Sequence, residues 1–337
     1  MKRSRKVVTI SDIAQKAKVS VSTVSNVLNN KETVGSAIRQ TVLAVAEKLN
    51  YDGPLKRSRN MQNLRTMIAM VSADITDPVM NLIFRGVENS ARIHGYTSIL
   101  CDSENSVDQE SEHISTLLGK GIEGLLIVPS SDEIQPVGEL FRNDCPLVIV
   151  DRKIRNPAVS YTISDNLSGA YQATRYLLSL GHTRILYLAG RRGISTESER
   201  FEGYQKALRE QGIAFDRELV IPGEFDWFVT YKRVDEAVRR GASFTAIFAA
   251  NDTMAFAAKE AIEKNGLRMR DEISIVGYND VLDASAISLT TVAIDPLEMG
   301  KSAVLLLLDL MSKRRVPPQR IILQPRLVIR NSCRRIE

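Results

Sequence analysis

The sequence predicts an α/β protein with a small N-terminal three-helix domain and a larger body made of two parallel α/β lobes. Three observations predict this fold class. Apolar residues recur at helical spacing in three short segments near the N-terminus, and short β-branched runs alternate with helix-length segments from about residue 66 onward. The 337 residues, 44% of them hydrophobic, are enough for two or three domains with buried cores.

The N-terminal segment contains start signals for three helices. The first helix follows a capping-box pattern, Thr9-Ile-Ser-Asp12, and covers about residues 10–17. The second helix starts after a possible cap at Ser20 and ends near Asn29, which leaves room only for a tight turn between the two. A third helix is predicted over about residues 35–48. Short helices joined in this way outline a helix-turn-helix module.

The body contains eight strand candidates separated by helix-length segments, which is typical of parallel βαβ architecture. They are Met67–Ser72, Tyr96–Cys101, Gly124–Pro129, Leu147–Asp151, Tyr161–Ser164, Ile185–Ala189, Ala246–Ala250 and Ile273–Gly277. Two halves meet near residues 155–165, and strand-like segments at Ile321–Leu323 and Leu327–Ile329 cross back between them. A ligand in such a fold lies outside the carboxyl ends of the strands, here in the cleft between the halves.

These patterns predict the domain boundaries. The three-helix domain covers residues 1–51, a basic and polar linker covers residues 52–65, and the body covers residues 66–337. Within the body, we predict one lobe from residues 66–160 with 292–318 and the other lobe from residues 161–291 with 319–337.

Charge is divided unevenly between these parts. Residues 1–65 hold 13 Lys and Arg against four Asp and Glu, a net charge of +9, whereas the remaining 272 residues hold 32 basic and 36 acidic side chains, a net charge of −4. A strongly basic segment on a mildly acidic body indicates that one end of the chain meets a polyanion. A solvated basic tail is the alternative, because charged runs are usually hydrated surface.

Several classes of protein have no support in the sequence. The longest apolar run, Ala303–Leu308, is far shorter than the roughly 20 residues that a membrane-spanning helix needs. No signal-peptide pattern follows the basic N-terminus, and the three cysteines are too widely spaced for a disulfide framework or a zinc site. We therefore expect a cytoplasmic protein that has no membrane partner and holds no metal ion.

One glycine motif suggests a cofactor at first sight. Gly119-Lys-Gly121-Ile-Glu-Gly124 matches the dinucleotide pattern G-x-G-x-x-G, but it closes a helix and introduces a strand, the reverse of the order that a Rossmann site requires. His94, His113 and His182 are scattered, and the sequence has no P-loop, nucleophile-elbow serine or H-E-x-x-H motif. The sequence thus predicts no cofactor and no enzymatic activity.

The N-terminal segment carries a long and specific motif. It reads Thr9-Ile-x-Asp12-Ile-Ala14-x-x-Ala17-x-Val19-Ser20-x-x-Thr23-Val24-Ser25-x-Val27-Leu28-Asn29-Asn30, continued by Leu49-Asn50-Tyr51. This motif closely resembles the DNA-binding segment of the lactose/galactose-repressor (LacI/GalR) family of bacterial transcription regulators. The body is similar to that family in Asp77-Pro78, Asp165-Asn166, Gly181-His182, Arg200-x-x-Gly203-Tyr204, Asn251-Asp252, Gly277-Tyr278-Asn279-Asp280, Leu289-Thr290-Thr291 and Leu327-Val-Ile-Arg330-Asn-Ser332. The resemblance covers essentially the whole chain.

The resemblance implies a homodimer whose N-terminal domains bind operator DNA and whose bodies are shaped like periplasmic sugar-binding proteins. It implies a ligand-responsive repressor of a carbohydrate or related catabolic operon, in which a small effector in the cleft, a sugar or a sugar-derived metabolite, changes operator affinity. A sugar-binding transport protein is the second hypothesis, and the helix-turn-helix argues against it. An α/β enzyme is the third, and no motif supports catalysis.

In a helix-turn-helix, the start of the second helix faces base edges, while nearby hydroxyls and amides contact phosphates. The predicted base readers are Val21, Ser22 and Asn26. The predicted phosphate contacts are Thr9, Ser20, Thr23 and Ser25, and Asn29 also belongs to the predicted DNA-binding set. Many family members have Arg at the position of Asn26, which leaves the operator sequence open, since Asn suits adenine and Arg suits guanine.

The linker resembles the hinge segment of the family, which folds on DNA and wedges a Leu into the minor groove. Counting on from Pro54 places Met61 at the wedge position after Arg59, whereas counting back from Ile68 places Asn60 there. We prefer Met61 because an apolar wedge is required to unstack bases. A flexible basic linker without a wedge is the alternative.

Residues that match the effector contacts of the family lie at the ends of predicted strands. They are Val79, Met80, Asp151, Arg152, Asp165, Thr196, Arg200, Phe225, Asn251, Asn279 and Asp280. One aromatic face with carboxylates, amides and guanidinium groups suits a hydroxyl-rich ligand, and the forked donors of Arg200 are expected to hold it. An individual Asp or Asn could instead cap a helix or form a turn. Arg152, Arg191 and Arg192 leave an acidic ligand open.

Overall fold

The computed structural model of the chain describes residues 8–28, 34–49, 51, 67–132, 145–156, 158–312 and 317–337. The chain divides into two compact units, Met1–Thr66 and Met67–Glu337. The predicted linker 52–65, with Arg59 and Met61, lies outside the described residues, and so does Asn29.

The described residues of the N-terminal unit form three helices: α1 (Ile10–Ala17), α2 (Val21–Leu28) and α3 (Ser36–Lys48). The predicted capping box is present at the start of α1. The backbone N of Asp12 donates to Thr9 Oγ1 at 3.4 Å, and the backbone N of Thr9 donates to Asp12 Oδ2 at 2.8 Å. This reciprocal pair satisfies amides that a helix start leaves without partners. Lys18 ends α1 in the left-handed conformation, with φ 54°, and so allows the tight turn into α2.

A small apolar core joins the three helices. Ile13 of α1, Val24 of α2 and Val42 of α3 are completely buried and belong to one cluster. Isolated helices of about eight residues are marginal in water, so this shared core is what holds them in place.

The second unit contains twelve described strands and eight described α-helices. In chain order they are β1 (Met67–Ser72), α4 (Pro78–Ile93), β2 (Thr97–Asp102), α5 (Val107–Gly119), β3 (Gly124–Ile127), β4 (Leu147–Val150), β5 (Ser160–Ser164), α6 (Asn166–Ser179), β6 (Ile185–Ala189), α7 (Ser195–Glu210), β7 (Val220–Pro222), α8 (Trp227–Arg239), β8 (Ala246–Ala249), α9 (Asp252–Lys264), β9 (Ser274–Asn279), α10 (Leu282–Ala286), β10 (Thr290–Ala293), α11 (Pro296–Ser312), β11 (Arg320–Leu323) and β12 (Arg326–Val328).

Two six-stranded sheets form the two lobes of this unit. The first has the strand order β11-β5-β4-β3-β1-β2 and is entirely parallel. The second has the order β12-β10-β9-β8-β6-β7 and is parallel except for β12, which runs antiparallel to β10. All residues of β3 and β4 are buried, as expected for inner strands of a sheet covered on both faces.

The observed lobes correct our predicted boundaries. Residues 161–164 and 319–323, which we placed in the second lobe, belong to the first sheet, where β11 pairs with β5. Residues 292–293, which we placed in the first lobe, pair with β9 in the second sheet. Backbone pairing between strands decides to which sheet a strand belongs, and the hydrophobic pattern of a strand does not show its partner. The strands β7 and β10 were not among our candidates, because β7 is short and β10 contains two polar Thr residues.

The helices α4 and α11 pack backbone against backbone in the first lobe. A Cβ atom added at Gly86 would lie 2.2 Å from the carbonyl O of Leu297, and one added at Gly300 would lie 2.0 Å from the carbonyl O of Ile83. Any side chain at these two positions would force the helices apart, so both positions require glycine.

We expect Gly300→Ala to lower the free energy of unfolding by about 1–3 kcal/mol, because the added methyl group overpacks the contact between α4 and α11. Urea denaturation followed by circular dichroism measures the effect. Gly119→Ala is the matched control, since Gly119 ends α5 and no atom lies within 4 Å of its added Cβ. Equal stability of the two variants would contradict the role given to the close helix contact.

Candidate functional site

The start of α2 presents the side chains that we predict to read bases. Val21 is 43% exposed, Ser22 is exposed, and Asn26 is half-buried. Ser22 and Asn26 are four residues apart and therefore neighbours on one helix face. Val24 and Val27 point instead into the core. The structure thus gives α2 an outer face that carries Val21 and two polar side chains, and an inner face that is apolar.

Hydroxyl groups fix the first turn of α2. Ser20 Oγ accepts a hydrogen bond from the backbone N of Thr23 at 3.0 Å and lies 2.7 Å from the hydroxyls of both Ser22 and Thr23. Ser20 and Thr9 are exposed caps, and Thr23 and Ser25 are half-buried. A capping hydroxyl keeps further hydrogen-bonding capacity, so capping is compatible with the predicted phosphate contacts.

Side chains from both lobes line one inner pocket. Nine of the eleven residues predicted to contact an effector lie on its walls: Val79, Met80, Asp151, Arg152, Thr196, Arg200, Phe225, Asn251 and Asn279. The first four come from the first lobe and the others from the second, so the pocket lies in the cleft between the lobes. The space enclosed is about 20 Å³, enough for about one water molecule.

Two predicted residues lie elsewhere. Asp165 caps α6, and its Oδ1 accepts from the backbone N of Ser168 at 3.0 Å. Asp280 forms an ion pair with Arg330 at 2.7 Å. Neither is among the residues that line the inner pocket, and helix capping and ion pairing account for these two carboxylates in the structure.

The guanidinium of Arg200 is held by the second lobe itself. Nε donates to Asn166 Oδ1 at 2.9 Å, Nη1 to the carbonyl O of Ala250 at 2.5 Å, and Nη2 to Asn279 Oδ1 at 3.2 Å. The group also lies 3.8 Å from the centre of the Tyr278 ring. We expected these forked donors to hold the ligand, whereas three of them bind protein. Arg200 therefore organises the wall of the pocket.

Two carboxylates of the first lobe face this guanidinium. Asp151, 6% exposed, has a left-handed backbone with φ 64°, and no hydrogen bond among the described residues uses its carboxylate. Burial raises the pKa of Asp151, and the charges of Arg152 and Arg200 counteract that rise. Asp77 Oδ1 accepts from the backbone N of Val79 at 2.9 Å, and burial raises the pKa of Asp77 as well. The pocket thus offers acceptors to the donors of a ligand.

Arg152 supplies a donor with no partner among the described residues. Its Nη1 donates to the carbonyl O of Pro129 at 2.7 Å, while Nε is buried and unpaired. Burial lowers the pKa of Arg152, with Asp151 and Asp77 opposing the change. An unpaired buried donor costs free energy, and a ligand oxygen in the pocket would remove that cost.

The loop before α8 places an aromatic ring on the pocket wall. Glu224 and Phe225 both have φ 59°, in the left-handed region. A Cβ atom at Gly190 would lie 2.1 Å from Phe225 Cζ, so only glycine leaves room for the ring. The backbone N of Glu224 donates to the carbonyl O of Ala189 at 3.1 Å. These contacts hold the strained loop in place.

A larger outer chamber of about 470 Å³ adjoins the inner pocket. Both are lined by Asp77, Arg152, Phe225 and Asn251. The outer walls also contain residues absent from our predicted site: Asp74, Thr76, Pro78, Asn105, Arg191, Glu224, Asp226, Trp227, Val229 and Thr253. Apart from Arg191 and Pro78, which the sequence analysis names without placing them in the site, sequence reasoning missed these residues because they lie in loops and first helical turns without a fixed pattern. The Asp77-Pro78 motif is the one sequence signal that points to this chamber, since both of its residues line it.

Hydrogen bonds connect the lobes beside the inner pocket. The backbone N of Lys153 in the first lobe donates to Ser195 Oγ at 2.6 Å, and the Lys153 ammonium pairs with Glu199. The backbone N of Asp132 donates to the carbonyl O of Gly193 at 3.0 Å. Widening of the pocket by separation of the lobes would strain or break these contacts.

Glu197 is a buried carboxyl in α7. Its Oε2 accepts from the backbone N of Gly190 at 2.6 Å, and its Oε1 accepts from the Tyr187 hydroxyl at 3.1 Å. Burial raises the pKa of Glu197 to about 7, and the two hydrogen bonds counteract part of that rise.

The part of the chain that the structure describes contains neither a metal-ligand cluster nor a membrane-spanning helix. Within the described ranges, no three His, Cys, Asp or Glu side chains are grouped so that they could hold a metal ion. In the same ranges, no helix is long and apolar enough to cross a membrane.

Two family models match the chain. Residues 9–53 match the model of bacterial regulatory proteins of the lacI family, and residues 174–333 match the model of a periplasmic binding protein-like domain.

Curated relatives match over nearly their full length. The chain is 35% identical over 330 residues to the HTH-type transcriptional repressor PurR of Photorhabdus laumondii, covering 96% of both chains. It is 31% identical to PurR of Aliivibrio salmonicida, covering 97% of this chain and 99% of that protein.

Solved structures match as well. A complex of the transcriptional regulator CelR with cellobiose has a TM-score of 0.73 at 28% identity, covering 96% of this chain and 99% of that one. The lac repressor dimer bound to operator and the anti-inducer ONPF has a TM-score of 0.74 at 26% identity, covering 97% and 99%.

The raised pKa of Glu197 predicts a pH-dependent stability. The folded state holds the proton more tightly than the unfolded state, whose pKa is near 4.5, so stability is lost as the pH rises from about 4.5 to 7. Glu197→Gln keeps a neutral side chain at every pH and should remove on the order of 3 kcal/mol of that loss. Urea denaturation at pH 5 and pH 8 measures it, with the exposed Glu112→Gln as control. An unchanged difference between the two pH values in Glu197→Gln would contradict the assignment.

Proposed function

Because this chain belongs to the lacI family of bacterial regulatory proteins and is a DNA-binding transcriptional repressor with a ligand-binding body, we propose that an effector bound in the body controls operator binding by the N-terminal unit. It binds operator DNA in the cytoplasm as a homodimer, through the start of α2, and regulates a carbohydrate or related catabolic operon. A sugar or sugar-derived effector in the cleft between the lobes changes its operator affinity. The observation that carries this proposal is the inner pocket, whose polar walls come from both lobes.

Surface chemistry supports the DNA contacts that we propose. Val21, Ser22 and Asn26 occupy the outer side of α2, where a helix in the major groove meets base edges. The hydroxyls of Thr9, Ser20, Thr23 and Ser25 lie at the starts of α1 and α2 or in the first turns of α2, where phosphates are contacted in such modules. Asn29, Arg59 and Met61 complete the proposed interface, with Met61 as the minor-groove wedge.

The chemistry of the inner pocket supports a hydroxyl-rich effector. Asp77 and Asp151 offer carboxylate oxygens, while Arg152 Nε offers a donor. A sugar hydroxyl can donate to one group and accept from another, so adjacent hydroxyls satisfy both kinds of partner. The Phe225 ring provides an apolar surface for the C–H groups of such a ligand.

The connections between the lobes provide a route from effector to operator. The chain passes from the first sheet to the second after β5 and after β11, and returns after β10. An effector that favours one separation of the lobes therefore changes the relation between the two sheets. A coupling of about 1–3 kcal/mol, typical of allosteric proteins, would change operator affinity roughly 5–150-fold.

We expect Asn26→Ala to weaken binding to an operator selected from random duplexes by about 1–3 kcal/mol and to relax specificity at one base pair, because a bidentate base contact is lost. Fluorescence anisotropy with the full chain measures both effects. Gln40→Ala, exposed on α3, is the control and should bind like the parent. Unchanged affinity and specificity in Asn26→Ala would remove this residue from the proposed interface.

We expect Asp151→Asn to weaken effector binding at least tenfold, because a hydrogen bond to a charged acceptor contributes about 1.5–3 kcal/mol. Asn tolerates the left-handed backbone at this position, so the fold should be kept. The effector is first identified by a thermal-shift screen of sugars, sugar acids, nucleosides and purines. Calorimetry then compares Asp151→Asn with Glu112→Gln, and equal affinities would exclude Asp151 from the effector site.

A further inference from the structure

The outer chamber is a built extension of the effector cleft. Its volume of about 470 Å³ falls in the range of roughly 300–1,000 Å³ that is typical of ligand pockets, whereas the inner pocket has room for about one water molecule. Phe225 and Arg152 line both spaces, so the two spaces adjoin at these residues.

An aromatic side chain stands in the wall of this chamber. Trp227 is 36% exposed and is the first residue of α8. One face of its ring stacks on Tyr231, with the ring centres 5.2 Å apart and an angle of 7° between the planes. Asp226 caps α8 by accepting from the backbone N of Val229 at 2.7 Å, which fixes the turn that carries Trp227. The ring is therefore held in place while part of its surface stays open to a ligand.

The charges of the outer chamber disfavour an anionic ligand. Four carboxylates line it, those of Asp74, Asp77, Glu224 and Asp226, against the two guanidinium groups of Arg152 and Arg191. Asp74 uses Oδ1 to accept from the backbone N and hydroxyl of Thr76, and Oδ2 to accept from Asn105 Nδ2. These carboxylates are fixed acceptors, and a phosphate or sugar acid beside them would meet like charge. The acidic ligand that the Arg residues left open is thus disfavoured.

Building on the proposed function, we propose that the effector is a neutral disaccharide. One sugar unit binds in the inner pocket between Asp151 and Arg152, and the second binds in the outer chamber against Trp227. A pyranose ring combines an apolar face of C–H groups with hydroxyls around its edge, which matches an aromatic ring surrounded by carboxylates and amides. The first unit is larger than the present inner space, so its entry requires the lobes to separate slightly.

Calorimetry with the full chain tests this proposal. The probes are cellobiose, maltose, lactose, sucrose and trehalose, together with glucose, galactose, fructose, glucose 6-phosphate and adenosine. We expect at least one disaccharide to bind tenfold or more tightly than its own monosaccharides. Trp227 is the single tryptophan of the chain, so that disaccharide should also shift the tryptophan emission and reduce its quenching by acrylamide.

A pair of neighbouring variants separates the outer chamber from general effects on the fold. Trp227→Ala should weaken binding of the disaccharide at least tenfold and leave its monosaccharides within twofold. Phe228→Ala is the matched control, because Phe228 is 55% exposed, lies against Lys232 and does not line the chamber. It should leave both affinities within twofold. If Trp227→Ala does not fold, the emission change in the parent protein still tests whether the disaccharide contacts Trp227.

Other outcomes would contradict the proposal that the effector is a disaccharide. A separate measurement of operator binding tests the proposed function. The inference is wrong if no disaccharide binds, if a monosaccharide, glucose 6-phosphate or adenosine binds more tightly than every disaccharide, or if the emission does not change. Operator anisotropy is measured with each probe that binds. A monosaccharide or adenosine that changes operator affinity would preserve an effector-responsive regulator, whereas a chain that binds no operator would overturn the proposed function itself.

Discussion

The buried guanidinium of Arg200 is the interaction on which the cleft depends. It joins the start of α6, the end of β8 and the end of β9 through Asn166, Ala250 and Asn279. A buried charge is costly unless it is hydrogen-bonded and faces opposite charge. The hydrogen bonds come from its own lobe, and the opposite charge comes from Asp77 and Asp151 across the cleft. The two lobes are therefore electrostatically complementary where they face each other.

A second buried network ties the cleft to the connections between the lobes. Asp252, the first residue of α9, accepts from Thr291 Oγ1 at 2.6 Å and from the backbone N of Val281 at 2.9 Å. Thr291 lies on β10, which leads back to the first lobe, and Asn251 beside Asp252 lines both chambers. Burial raises the pKa of Asp252 to about 7. One carboxyl group thus connects the start of α9, next to the pocket-lining Asn251, with β10, the strand that leads back to the first lobe.

Local sequence signals predicted local structure well and sheet membership poorly. The Thr9–Asp12 capping box and the inner strands were readable because hydrogen bonding over three residues and continuous burial leave a pattern in the sequence. The pairing of β11 with β5 joins residues about 160 positions apart, and such a distant pairing leaves no pattern in the sequence. Family resemblance pointed to nine residues that line the inner pocket, but it could not separate a capping Asp165 from a pocket-lining Asp151, since both follow strands. The outer chamber arises from loops of both lobes, and only the folded chain assembles it.

The close contact of α4 with α11 has a consequence for how such a protein changes over evolution. Asp77 caps α4, and Val79 and Met80 form its first turns, so this helix carries part of the pocket wall. Because α4 and α11 touch at Gly86 and Gly300, neither glycine can be replaced without changing how the two helices pack. The side chains of Trp227, Glu224 and Asn105 line the outer chamber instead, so replacing them does not disturb this helix pair. Selection for a new ligand can therefore change the side chains of the outer chamber while the packing of α4 against α11 stays the same.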